Sequence, residues 1–327
     1  MDDSAQPGQL RVVVLDDHQQ VAHRCGPWAD LGPEVEVEFW SEHVADADEL
    51  VRRLAGAEVV VAMRERTAFP AELLERLTDL RLLVTTGPFN AAIDVGAAQR
   101  LGIVVSGTGG TRTPTSELAW GLILAVARHI PAEHAAIRAG GWQTTLGVGL
   151  HGRRLGVVGL GHLGGAVARV GLAFGMDVVA WSQNLDPEKA RSMGVTPVAR
   201  DEVFETADVV TLHLVLSDRT RHVVGARELG LMKPTAFLVN TSRGGLVDEP
   251  ALVDALASGR IAGAGLDVFE QEPLAHDAPL RALPNVVLTP HIGYVTDESY
   301  AIFFADAVDD IAAFLAGSPK RVVSVRA

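Results

Sequence analysis

The chain has a single cysteine, Cys25, in 327 residues, which excludes an intrachain disulfide and any cysteine-based metal site. A reducing, cytoplasmic compartment is expected, with the thiol reading as a small buried hydrophobe. Basic charge is also short: 28 Lys and Arg face 41 Asp and Glu, for a formal net charge of −13. That balance argues against a general nucleic-acid surface, which needs Lys and Arg clustered on one face. No apolar run approaches the ~20 residues needed to cross a bilayer. The opening MDDSAQPGQL is acidic and polar where an export signal is basic and then apolar, so neither membrane nor export is expected. Low-complexity tracts and short-period repeats are missing, which excludes solenoids and linker architectures. What remains is a globular composition, 48% hydrophobic and 21% charged, sufficient for two medium cores.

Short Val-rich runs recur with helical stretches between them. The first set is RVVVLDD from Arg11, VEVEFW from Val35, VVVAM from Val59, RLLVTTG from Arg81 and IVVSG from Ile103, with a helix expected over Ala71 to Leu80. This is the rhythm of a doubly wound parallel sheet. A long apolar segment, Thr115 to Ala139, reads as helix with a break at Pro131, and it links to a second set. Its strands are expected at Leu155 to Leu160, Met176 to Trp181, Val209 to Leu214, Ala236 to Thr241, Ala264 to Val268 and Val286 to Thr289. A helix over Asp297 to Leu315 and a strand over Arg321 to Val325 then return the chain to the first domain. The expected fold class is therefore α/β with two doubly wound parallel-sheet domains, one inserted into the other.

Within the second set, LGVVGLGHLGGAVA from Leu155 carries Gly159-x-Gly161-x-x-Gly164 between an apolar strand and an apolar-faced helix. Each glycine has a task in a dinucleotide turn: Gly159 for the tight bend, Gly161 for approach of a pyrophosphate, Gly164 for close packing of helix on strand. The helix N-terminus then offers N–H groups to the anion.

Three later segments place polar residues where strands should end: NTSRGGLVDE from Asn240, GLDVFEQEP from Gly265 and TPHIGYVT from Thr289. Open α/β sheets bind ligands beyond the carboxyl ends of their strands, so Arg243, Asp267, Glu272 and His291 can converge. An arginine holds a carboxylate bidentately, a histidine exchanges a proton with a carbonyl or hydroxyl oxygen, and a glutamate holds the imidazolium. Taken singly, each has a plainer role: Arg243 in a loop salt bridge, Glu272 as a solvated carboxylate before Pro273, His291 as a satisfied histidine after Pro290.

On LGVVGLGHLGGAVA, LVNTSRGGLVDE, AGLDVFEQEP and LTPHIG, in that order, the sequence closely resembles the D-isomer-specific 2-hydroxyacid dehydrogenase family over nearly its whole length. The resemblance implies a Rossmann dinucleotide-binding domain, residues 115–294, inserted into a flavodoxin-like substrate domain, residues 1–114 and 295–327, usually as a homodimer. It also implies hydride transfer between NAD or NADP and a small 2-keto or D-2-hydroxy acid. Arg243 would bind the substrate carboxylate, His291 would be the acid/base and Glu272 its partner. Asp267 would face the nicotinamide carboxamide. Gly159, Gly161, His162, Leu163 and Gly164 match the pyrophosphate loop, Thr241 the nicotinamide side, and Ser182, Gln183 and Leu214 complete the cofactor contacts. Substrate contacts fall on Arg64 and on the backbone of Thr86 and Gly87, in a loop longer than in many relatives. The same resemblance leaves a phosphoglycerate- or phosphite-oxidising enzyme open, and also a corepressor-like dinucleotide sensor without metabolic turnover. Formate dehydrogenases pair their histidine with glutamine, so Glu272 argues against that relative. An appended regulatory domain is not expected.

The cofactor position departs from the pattern. About 20 residues after the turn an NAD enzyme commonly places Asp or Glu on the ribose hydroxyls, and this chain has Ser182. Repulsion against a 2′-phosphate is thereby removed, and NADP is expected to be tolerated. The segment from Thr115 to Leu150, with Trp142, is a candidate subunit interface; burial against the chain's own domains is the alternative.

Overall fold

The structure is a computed structural model that describes residues 9–111 and 113–325. The polar opening MDDSAQPG lies outside the described residues, and none of the described helices is long and apolar enough to cross a membrane. The chain divides into two units: one takes the described residues up to Thr111 and from Val295 onward, the other those between, up to Tyr294.

In the first unit the Val-rich runs form β1 (Leu10–Val14), β2 (Val35–Phe39), β3 (Val59–Ala62), β4 (Leu82–Thr85) and β5 (Val104–Gly107). They pair in parallel in the order β2-β1-β3-β4-β5, the flavodoxin-like arrangement. Strands β3 and β4 are apolar and buried at nearly every position, as strands covered on both faces must be. Edge strand β2 instead alternates Val and Glu and is half-buried throughout.

The second unit contains β6 (Arg154–Val158), β7 (Asp177–Trp181), β8 (Thr196–Pro197), β9 (Val209–Leu212), β10 (Phe237–Asn240), β11 (Gly263–Leu266) and β12 (Val286–Leu288), all parallel. The order β12-β11-β10-β9-β6-β7-β8 is a Rossmann sheet extended at one edge, with its topological switch between β6 and β9. Two apolar layers enclose it. One packs helices Thr113–Ala127 and His162–Ala173 on Val157, Val209 and Val239. The opposite layer packs Val203, Phe204, Leu252 and Leu256 on Val158, Val210 and Leu238.

Several expected elements differ. The helix expected over Ala71 to Leu80 covers only Ala71–Leu74. Beyond Glu75 the N–H groups of Arg76, Leu77 and Leu80 bond three residues back, and the Asp79 carboxylate accepts Gly56 N–H instead of facing solvent from a helix. The break expected at Pro131 falls earlier: helix Thr113–Ala127 ends, His129 turns at φ 52°, and Pro131 sits in the first turn of helix Ile130–Arg138, where its missing N–H is harmless. The two-residue edge strand β8 is too short to show a periodicity. The tail forms a single antiparallel bridge, Ser106 to Val322, rather than a strand. Arg321 turns at φ 48° and anchors it through Nε to Asp310 Oδ1, 3.0 Å. Leu160, Leu214, Thr241, Val268 and Thr289, expected as strand ends, lie in the loops beyond them.

Candidate active site

Strand β6 ends at Val158, and Gly159 bends the chain with φ 101° while its N–H donates to Trp181 O at 2.8 Å. A Cβ on Gly159 would sit 2.6 Å from His213 O, and one on Gly164 would collide with Gly159 O. Both glycines are therefore demanded by the packing of the protein itself. Gly161 is different: it is the N-cap of helix His162–Ala173, and a Cβ there would meet no described heavy atom within 4 Å. His162 is exposed and Leu163 half-buried in the first helical turn, whose N–H groups have no partner within the helix.

Thr241 Oγ1 and His213 Nδ1 are buried polar atoms with no hydrogen-bond partner among the described residues. They follow the adjacent strands β10 and β9. Burial pushes the His213 imidazole down to about 4, so the ring is neutral, with Nε2 paired to Thr211 Oγ1 at 2.9 Å. Sequence reasoning missed His213; its only signal was a polar residue directly after an apolar strand. Leu214 Cδ2 lies 3.0 Å from the point a Gly159 Cβ would occupy, which puts Leu214 against the glycine turn. Ser182 is half-buried directly after β7, and Gln183 and Asn184 are exposed. The nearest following carboxylate, Asp186, caps helix Pro187–Ser192 by accepting the Glu188 and Lys189 N–H groups. An open approach at Gly161, exposed helix-terminal donors and unpartnered polar atoms at the strand ends fit a dinucleotide.

The loop after β10 is shaped by buried Asn240, whose Oδ1 accepts Ser242 N–H at 3.0 Å and whose Nδ2 donates to Arg243 O at 2.9 Å. Arg243 Nη1 donates to Ser242 O at 2.7 Å. Gly244 lies so close to the Phe269 backbone that a Cβ would overlap it, and this packs the Arg243 loop directly on the segment leading to Glu272. Glu272, which precedes Pro273 through a cis peptide, accepts Phe269 N–H on Oε1 at 2.9 Å. Its Oε2 lies 2.6 Å from His291 Nδ1.

His291 itself turns at φ 53°, a backbone region that a non-glycine residue occupies only when its surroundings hold it there. Asp267 supplies that hold. Its buried carboxylate accepts Thr289 Oγ1 at 2.6 Å and Ile292 N–H at 2.8 Å on one oxygen, and Gly293 N–H at 2.9 Å on the other. Burial pushes the Asp267 carboxyl up, opposed by these donors and by His291. The Tyr294 ring packs edge-on against the imidazole, 5.6 Å between centroids. Arg243, Glu272 and His291 thus stand on loops at the carboxyl end of one sheet, with Asp267 serving the His291 turn.

In the first unit, Arg64 also has a positive φ, 51°. Its N–H donates to Thr86 Oγ1 at 2.9 Å and its Nη1 to Thr86 O at 3.1 Å. Gly87, at φ 92°, has no room for a Cβ because the Arg64 guanidinium lies across it. Arg64, Thr86 and Gly87 are thereby brought together.

Residues 120–293 match the family described as D-isomer specific 2-hydroxyacid dehydrogenase, NAD binding domain. The glyoxylate reductase of Aeropyrum pernix is 40% identical over 264 residues, 77% of this chain and 79% of its own. A D-3-phosphoglycerate dehydrogenase of Methanocaldococcus jannaschii is 40% identical over 256 residues, 77% of this chain but 48% of its own length. The crystal structure of phosphoglycerate oxidoreductase from Vibrio cholerae superposes with a TM-score of 0.90 at 37% identity, covering 95% of this chain and 100% of that one. Fold and glycine turn define a nicotinamide-dependent oxidoreductase. The chain belongs to the D-isomer-specific 2-hydroxyacid dehydrogenase family, whose members are NAD-dependent D-2-hydroxyacid dehydrogenases.

Proposed function

We propose that the protein reduces a small 2-keto acid to the D-2-hydroxy acid, with His291 as acid/base, Glu272 as its partner and Arg243 as the carboxylate-binding residue. The observation that carries this reading is the 2.6 Å pairing of His291 Nδ1 with Glu272 Oε2. With Nδ1–H directed at the carboxylate, Nε2 is the nitrogen that delivers a proton to the substrate carbonyl oxygen. Glu272 stabilises the imidazolium before delivery and fixes the ring's orientation. Arg243 pairs with the substrate carboxylate and polarises the adjacent carbonyl, an interaction that strengthens as negative charge develops. A bound nicotinamide supplies the hydride. Gly161 and the first turn of helix His162–Ala173 hold the pyrophosphate, Thr241 and His213 face the nicotinamide side, and Ser182 with Gln183 faces the adenosine ribose. The missing carboxylate at Ser182 supports acceptance of NADPH beside NADH. Arg64, with Thr86 and Gly87, contacts the substrate.

A homodimer is part of the same reading. Trp142 and Leu146 are 75% and 91% exposed, and Trp142 lines an open groove of about 580 Å³ together with Leu124, Ile130 and Ile137. Side chains of this size are rarely left to water together.

The deciding assay follows oxidation of NADH and NADPH separately against glyoxylate, hydroxypyruvate, pyruvate, phenylpyruvate and branched 2-keto acids. Turnover of at least one, at ordinary enzyme rates, is expected. Failure of all, with cofactor binding intact, would overturn the reading and turn attention to 3-phosphoglycerate and phosphite oxidation.

A further inference from the structure

We propose that Asp16 and His43 are positioning residues that hold the Arg64–Thr67 segment in its substrate-presenting conformation. The proposal rests on the reading of Arg64 as a substrate contact. In a sheet of order β2-β1-β3-β4-β5 the connections after β1 and β3 leave to opposite sides, and the crevice between them is where such folds usually take a ligand. In this chain its own side chains occupy that place.

Asp16, two residues beyond β1, is 2% exposed and has φ 57°. Each of its three oxygens is engaged. The carbonyl accepts Arg66 Nη1 at 2.5 Å, Oδ2 accepts the Thr67 hydroxyl at 2.7 Å, and Oδ1 faces His43 Nδ1 at 2.9 Å. Two of the three contacts fall on the segment after β3 that begins at Arg64. From the other side, Thr86 Oγ1 accepts Arg64 N–H and Asn90 Nδ2 donates to Arg64 O at 2.5 Å. Arg64 keeps its left-handed backbone because Thr86 and Asn90 hold its own N–H and carbonyl and Asp16 fixes the residues that follow it.

The buried Asp16 carboxylate needs a nearby cation. His43 faces the carboxylate through Nδ1, and the Arg66 guanidinium is held at the backbone carbonyl of the same residue, Asp16. For His43 the facing groups are the Asp16 carboxylate, whose hydrogen bond pushes the imidazole above its ordinary range, and the Arg66 guanidinium, which opposes that shift. Of the neighbouring groups, His18 Nδ1 pairs with Ser41 O and Asp17 accepts the Val21 and Ala22 N–H groups, while the Tyr300 hydroxyl donates to Gln19 and is also hydrogen-bonded to Arg66. Deprotonation of His43 removes one cation from Asp16 and loosens the segment it holds, so substrate affinity should fall as pH rises through the His43 titration while the hydride step is untouched.

The test compares wild type with His43→Gln, Asp16→Asn and the control His18→Gln. KM and kcat are measured for the fastest keto acid of the panel across about pH 5.5 to 9, together with Tm and amide hydrogen exchange of the peptide spanning Arg64 to Thr67. His43→Gln is expected to raise KM about tenfold near pH 6, flatten its pH dependence and leave kcat within about twofold. Asp16→Asn should raise KM by a similar factor and speed exchange of the peptide about tenfold. His18→Gln should match wild type. Wild-type KM, pH profile and exchange in both variants would overturn the proposal, even if Tm falls. Should Asp16→Asn not fold, His43→Gln decides by the same readouts. If wild type reduces no keto acid, the dehydrogenase reading fails, and the exchange data alone still decide whether Asp16 and His43 hold the segment.

Discussion

His291 and Arg64, one proposed as acid/base and the other as a substrate contact, each have a positive φ, and in both the strain is held by polar contacts. For His291 the hold and the partner are separate carboxylates: Asp267 fixes the backbone turn and Glu272 faces the ring. Glu272→Gln should therefore leave the turn intact and lower kcat for keto-acid reduction about 10- to 100-fold, since the imidazolium loses its charged partner. Steady-state kinetics showing an unchanged kcat would break the assigned partnership. Arg243→Ala should raise KM and lower kcat together, each by about tenfold or more, because the contact tightens as the carbonyl gains charge. If only KM moved, Arg243 would be a docking residue. The residue types at these positions were readable from the sequence, where Arg, Glu and His stand just past strand ends. The hold of Asp267 on the His291 turn was not, because its donors come from residues 22 to 26 positions away, visible only once β11 and β12 lie side by side.

At the scale of elements, the glycine turn separates what the fold needs from what a ligand needs. Gly164→Ala would drive a methyl into the Gly159 carbonyl and should destabilise the unit by about 1–3 kcal/mol. Gly161→Ala meets nothing in the protein and should cost at most about 1 kcal/mol, the ordinary loss at an N-cap. The same variant should weaken NADH binding about tenfold or more, readable by fluorescence titration. Wild-type affinity in Gly161→Ala would show that the turn does not receive the pyrophosphate. Strand positions were legible because burial on both faces writes a continuous apolar run. Helix ends were less so: Ala71–Leu74 stops where Asp79 finds a backbone donor on another segment, and Pro131 begins a helix instead of ending one.

For the whole molecule, the apolar arm around Trp142 and Leu146 carries the subunit prediction. Wild type should sediment at twice the chain mass of 34.6 kDa, and Trp142→Ser with Leu146→Ser should shift it toward 34.6 kDa. A wild-type monomer would remove the proposed interface. The sequence by itself determined the α/β class, the positions of the longer strands, the glycine turn and the placing of Arg243, Glu272 and His291 just past strand ends. Each of these is written locally, in periodicity, in glycine spacing or in a polar residue at a strand end. Tertiary structure alone decided that Asp267 holds the His291 turn, that Asp16 clamps Arg66 and Thr67, and that the chain's tail makes one bridge to β5 rather than a strand. Those outcomes depend on buried acceptors finding donors from distant segments, a match that exists only after the sheets have set the register between them.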